Sequence, residues 1–203
     1  MPTQFDLSLF PFIHGFAAET LAPFEIGAAD WLIAVVPFVL IALWLRDRDG
    51  DRTDGATAAI AAGMALAFSG LISFLLFEPR PFMIGLAGNI LEHAADSSFP
   101  SDHVAVMAAV TASLAFAGRS RIAAILATAT VLVGWSRVAL GVHFPTDIVA
   151  GASIGVCAAA FLRSGLLSPF VAFVVRVGEM VSAMLGIDKV SDFIRKPSLL
   201  RSR

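Results

Sequence analysis

Three short polar clusters interrupt an otherwise apolar chain, and their residue types suit chemistry on a phosphoryl group. The first is Glu78-Pro79-Arg80-Pro81-Phe82, the second Phe99-Pro100-Ser101-Asp102-His103, and the third Ser136-Arg137 followed by His143-Phe144-Pro145-Thr146-Asp147. Arg80 and Arg137 offer planar, permanently charged forks that match phosphate oxygens. Ser101 supplies a hydroxyl donor, and Ser136 beside Arg137 is a further, less secure one. Amides at the start of a helix near Ser101 point toward the same space. A neutral imidazole attacks phosphorus when an acceptor holds its other ring nitrogen. His143 and Asp147 are four apart in sequence, one turn apart on one face of a helix that starts near His143. That makes His143 the candidate nucleophile and Asp147 the group that fixes its tautomer, with His103 the candidate general acid for the leaving oxygen. Asp102 sits between functional neighbours yet would repel a phosphate, so its role stays open.

Blander readings exist for each residue. A lone arginine at the end of an apolar run serves more often as an anchor that snorkels to headgroups. His143 and Asp147 are also a conceivable metal pair. No cysteine accompanies them and no further histidine–carboxylate pair has ligand spacing, so no metal and no cofactor are expected. His14 and His93 read as interfacial or loop residues, and Glu92 and Asp96 as a solvated loop. The Arg46-to-Asp54 run reads as a solvated turn. The single cysteine, Cys157, lies in an apolar run and reads as a packed small residue.

The elements that must position these clusters are membrane spans. Of 203 residues, 58% are hydrophobic and 15% charged, against about a quarter charged in a soluble domain. A net charge of −2 gives no case for nucleic-acid binding. Apolar runs long enough to approach a span of about 17–25 residues cover 28–45, 55–77, 103–117, 122–137 and 148–162. The expected fold is therefore all-α, a polytopic transmembrane helix bundle of five or six spans. Residues 1–190 form one membrane-embedded domain. Within it, 1–27 is an N-terminal interfacial segment without the basic flank of a secretory signal. Residues 166–187 are an interfacial helix or a sixth span, and 191–203 are a basic tail. Arg46, Arg48, Arg52, Arg119, Arg121 and Arg163 fall on one side of a five-span bundle, the side expected to be cytoplasmic. All three clusters fall at the opposite, extracytoplasmic ends of the central helices.

The constellation resembles the type 2 phosphatidic acid phosphatase superfamily. That family's signature reads Lys-x6-Arg-Pro, Pro-Ser-x-His and Ser-Arg-x5-His-x3-Asp. The last two parts are complete here in Pro100, Ser101 and His103 and in Ser136, Arg137, His143 and Asp147. The first is partial: Arg80 and Pro81 match, while Ser73 stands at the lysine position. The stretch from His93 to His103, with Asp102 at the variable position, is similar to the bacitracin-resistance branch of undecaprenyl-diphosphate phosphatases. The resemblance implies a cell-membrane enzyme that releases inorganic phosphate from undecaprenyl diphosphate through a phosphohistidine on His143, without metal. It would thereby recycle the lipid carrier of peptidoglycan synthesis, with membrane lipids as its surroundings. Two other readings compete: a phosphatase for another lipid phosphate (phosphatidic acid, phosphatidylglycerophosphate or another prenyl phosphate), and a lipid-binding or transport protein that no longer turns over.

Overall fold

The structure, a computed structural model, describes residues 2–17, 22–48 and 50–188, and the expected basic tail lies outside the described residues. Within them the chain is all helical, with no strand. The helices are α1 (Gln4–Ala17), α2 (Ala22–Trp31), α3 (Val35–Arg46), α4 (Asp51–Leu75), α5 (Asp102–Phe116), α6 (Ser120–Ala139), α7 (Pro145–Arg163) and α8 (Ser168–Met184). A 3-10 turn, Leu32–Ala34, joins α2 to α3, and a second, Pro81–Ile84, follows α4. Glu25–Arg46, Asp51–Leu75, Ser120–Ala139 and Pro145–Arg163 are long and apolar enough to cross a membrane, and Asp102–Phe116 is a shorter apolar helix. These are the five runs expected from hydropathy, and the protein is a multi-pass membrane protein.

Local sequence explains the helix boundaries. α4 begins after Gly50, whose φ of 77° suits glycine, and carries Asp51 and Asp54 in its first turn, where negative charge complements the helix dipole. It ends before the Glu78-Pro79 pair, because a residue preceding proline disfavours helix. α7 opens on Pro145 at its first position, a site where the missing amide costs nothing. Asp147 then reaches back, its Oδ2 accepting from the Phe144 amide at 2.7 Å, which is half of a capping box.

Small side chains let the central helices approach closely, as is common in lipid. Ala61 and Ala65 of α4, Ala105, Ala109 and Ala112 of α5, and Ala158 and Ala159 of α7 form one buried cluster. Gly151 marks one such close approach: a Cβ there would lie 2.5 Å from the Ser101 carbonyl oxygen and 3.3 Å from the Ala105 amide nitrogen. A second cluster joins Val36 and Leu43 of α3 to Met107, Val110 and Leu126.

The two flanking helices hold the bundle at opposite ends. α1 places Phe10 against Val138 and Phe144. Its buried Asp6 accepts from the Thr146 amide at 3.0 Å and the Thr146 hydroxyl at 2.7 Å. Burial raises the Asp6 pKa, but the bonds from Thr3 and Thr146 outweigh it and leave the pKa below the usual carboxylate value. α8 meets the other end. Val171 and Val175 pack on Ala56, Ser182 accepts from the Trp44 indole at 2.8 Å, and Arg52 reaches Glu179 and Asp188 at 3.8 and 2.9 Å. These partners cover only a turn or two of α4, whereas α8 is about 25 Å long at 1.5 Å per residue. The contacts of α8 thus fall on the C-terminal end of α3 and the N-terminal part of α4.

The Arg46-to-Asp54 run differs from its expected form as a solvated turn. Asp51 is fully buried. It takes Arg46 at 2.7 and 2.8 Å and Arg119 at 3.0 Å, while Asp54 takes Arg119 at 2.7 Å. The turn is an ion cluster because Arg119, from the α5–α6 connection, completes it across the bundle.

Candidate active site

The C-terminal end of α4, the N-terminal end of α5, the C-terminal end of α6 and the start of α7 surround a cavity of about 450 Å³. It is lined by Arg80, His93, His103, Arg137 and His143, by Gly70, Ser73 and Phe74 of α4, and by Phe77 just beyond that helix. Asp96 and Asp102 also line it.

Arg80 precedes the 3-10 turn and is almost fully buried. Its Nη1 donates to the Val142 carbonyl at 3.0 Å and lies 3.3 Å from His143 Nε2. Its Nε and Nη2 reach Asp96 Oδ1 at 2.8 and 2.7 Å. A guanidinium only donates and a carbonyl only accepts, and that fixes the His143 tautomer. Nε2 faces Arg80 as an acceptor, so the proton sits on Nδ1, which lies 2.8 Å from the Ser98 carbonyl. Asp147 Oδ2 is farther from Nδ1, at 3.3 Å. That oxygen also takes the Ser98 hydroxyl, in a short hydrogen bond. Burial, reinforced by the charges of Arg137 and Arg80, pushes the His143 pKa well below the ordinary 6.5. The free site therefore holds an uncharged ring with a lone pair directed at the arginine.

Arg137, in the last turn of α6, is buried as well. Its Nη2 lies 3.0 Å from His93 Nε2, and Nη1 donates to the Ala29 carbonyl at 3.4 Å. His93 must accept there, so it too is neutral. Burial, and then the charge of Arg80, lower its pKa from 6.5. His103 is the second residue of α5, half-buried on the cavity wall. Asp102 beside it is exposed.

Arg80, His103, Arg137, His143 and Asp102 thus line one cavity, with Asp147 buried directly behind His143. The two serines occupy other places. Ser101 is fully buried at the N-cap of α5, its amide donates to the Asp147 carbonyl at 3.1 Å, and its hydroxyl has no partner among the described residues. Ser136 is buried in the last turn of α6, and neither serine is among the cavity-lining residues. Ser73, at the lysine position, lines the cavity and donates to the Phe99 carbonyl at 2.9 Å.

Sequence reasoning passed over His93, Asp96, Ser98 and Asp6. The first two were read as loop residues, yet the segment after the 3-10 turn folds back over both arginines. His14, read the same way, stacks on Phe10 and lies 2.7 Å from the Ala139 carbonyl. The available signal was the set of polar residues His93, Asp96, Ser97 and Ser98 just before the second cluster. Among the described residues no group of three His, Cys, Asp or Glu side chains is arranged to hold a metal ion.

Helical spans around a cavity of buried arginines and neutral imidazoles define a membrane-embedded phosphatase. The chain belongs to the PAP2 superfamily, whose family model matches residues 54–167. It is 32% identical over 180 residues to undecaprenyl-diphosphatase BcrC of Bacillus subtilis, covering 87% of this chain and 93% of that protein. It is 38% identical over 161 residues to the putative undecaprenyl-diphosphatase YbjG of Escherichia coli, covering 76% of this chain and 79% of the relative. The crystal structure of Aquifex aeolicus LpxE superposes with a TM-score of 0.68 at 27% identity, covering 78% of this chain and 94% of that one.

Proposed function

We propose that this protein hydrolyses undecaprenyl diphosphate to undecaprenyl phosphate and inorganic phosphate, with His143 as nucleophile. The observation that carries this is the His143 ring itself: Nδ1 is held by the Ser98 carbonyl at 2.8 Å and Nε2 is bare of hydrogen 3.3 Å from Arg80. The two relatives at 32% and 38% identity bear the name of this activity. A cavity lined by arginines and imidazoles and also by Phe74 and Phe77 suits a phosphate on a hydrocarbon chain.

In this reading the Nε2 lone pair attacks the terminal phosphorus while Arg80 and Arg137 draw charge from its oxygens. The bond to the bridging oxygen breaks, and that oxygen leaves on undecaprenyl phosphate with a proton from His103, which enters this step as imidazolium beside the bound anion and leaves it neutral. Nε2 now carries the phosphoryl group and the ring is cationic, its Nδ1–H directed at the Ser98 carbonyl and Asp147. Water then attacks phosphorus and His103 takes back a proton. The P–N bond breaks, releasing inorganic phosphate and restoring the neutral ring.

The reading places the cavity on the outer face of the cytoplasmic membrane and α8 in the opposite interface. Arg46, Arg52, Arg119 and Arg163 gather at the far end of the bundle, and cytoplasmic loops carry such excess.

Phosphate release from purified protein tests this, using undecaprenyl diphosphate, undecaprenyl phosphate, phosphatidic acid and phosphatidylglycerophosphate, each with and without chelator. The diphosphate is expected to have the highest kcat/KM, unaffected by chelator, and His143→Ala to lose at least about 10³-fold in kcat. A higher kcat/KM on a monophosphate lipid would reassign the substrate. Full activity of His143→Ala would end the mechanism.

A further inference from the structure

We infer that Ser98 is a positioning residue of this reaction, holding both ends of the His143–Asp147 pair. The inference rests on the phosphohistidine reading above. Ser98 is fully buried and meets all three polar clusters. Its amide donates to the Glu78 carbonyl at 2.7 Å, beside Arg80. Its carbonyl is the nearest acceptor to His143 Nδ1, at 2.8 Å against 3.3 Å for Asp147 Oδ2. Its hydroxyl donates to that same Oδ2.

The hydroxyl matters because of how Asp147 is satisfied. Oδ1 is buried and has no hydrogen-bond partner among the described residues. Oδ2 therefore carries the carboxylate's donors: the Phe144 amide at 2.7 Å and the Ser98 hydroxyl, with His143 Nδ1 at 3.3 Å. A buried carboxylate oxygen without donors is costly, so the orientation of the group depends on the few that reach the other oxygen. Phe144 contributes main chain only, which leaves Ser98 as the one hydroxyl side chain holding Oδ2. When the His143 ring becomes cationic on phosphorylation, the Ser98 carbonyl and the Asp147 oxygen it fixes are the two acceptors for Nδ1–H. Ser98 thus acts most strongly where ring charge develops, which is in the transition state and not in substrate binding.

A kinetic double-mutant cycle tests this on the full chain in detergent or nanodiscs with undecaprenyl diphosphate. Ser98→Ala is expected to lower kcat about 10–100-fold, the scale of one hydrogen bond to a charged group, with KM changed less than about three-fold. Ser98→Thr keeps the hydroxyl and is expected to stay within about five-fold of the native kcat. In an Asp147→Asn background, Ser98→Ala is expected to add little, because coupled residues are non-additive. A Ser98→Ala enzyme with native kcat, one that loses only KM, a Thr variant as impaired as Ala, or a fully additive double variant would each overturn the role. If native protein releases phosphate from none of the lipids, the catalytic reading itself fails; native turnover with a silent Ser98→Ala removes this inference alone.

Discussion

At the end of the bundle away from the cavity, arginine charge is closed on itself. Asp51 is fully buried and receives Arg46 through two nitrogens at 2.7 and 2.8 Å, Arg119 at 3.0 Å and the Arg48 amide at 3.1 Å. Asp54 takes the rest of Arg119 at 2.7 Å, and Arg52 meets Asp47, Glu179 and Asp188. At the cavity end the arginines are deeper but their partners are softer. Arg137 meets an imidazole and a carbonyl, and Arg80 meets a carbonyl, an imidazole and the carboxylate of Asp96, which is 60% exposed. Carbonyls and neutral rings satisfy hydrogen bonds without cancelling charge. The same residue type thus fastens helices where a buried carboxylate holds it, and stands on a cavity wall where imidazoles, carbonyls and an exposed carboxylate meet it.

The largest test of this contrast is Arg80→Lys. It keeps the charge but loses the fork, so kcat/KM should fall about 10²–10³-fold, measured by phosphate release, with the melting temperature little changed. A lysine enzyme near native activity would mean that charge alone suffices. Asp51→Asn probes the other end. Removing one partner of a buried ion cluster costs about 3–5 kcal/mol, and because Arg46 and Arg119 keep 35% and 25% exposure the loss should lie near about 2–3 kcal/mol. Thermal unfolding in detergent would show it, while kcat of the folded fraction stays native. A catalytic defect without a stability defect would erase the distinction between the ends. The smallest effect is expected at Asp96→Asn. An exposed pair holds about 0.2–1 kcal/mol, so inorganic phosphate should inhibit about 2–5-fold more tightly; unchanged inhibition would show that Asp96 does not compete for Arg80.

Much of the scaffold was legible in sequence because hydrocarbon imposes a length and composition rule that local stretches obey on their own. The five apolar runs coincide with helices, and Arg80, His103, Arg137, His143 and Asp147 stand out in sequence because their types and spacing are chemical. What escaped depends on chain path. Asp6 bonds Thr146 from 140 residues away, and Arg119 enters the Asp51 cluster from a different connection. No periodicity reports such meetings. The fold-back that carries His93 and Asp96 onto two arginines is likewise written in turn geometry, with Gly85 and Glu92 at positive φ. Ser101 was expected to offer its hydroxyl to a ligand. The tight seating of α5 on α7 explains its burial, since its carbonyl faces the bare Cα of Gly151.

That seating has a further meaning. α5 carries His103 on its opening turn, and α7 begins just after His143. The distance between these two rings is therefore tied to a place where the α5 and α7 backbones approach closely, with a bare Cα at Gly151. A single added methyl at Gly151 would push the two helices, and with them His103 and His143, apart.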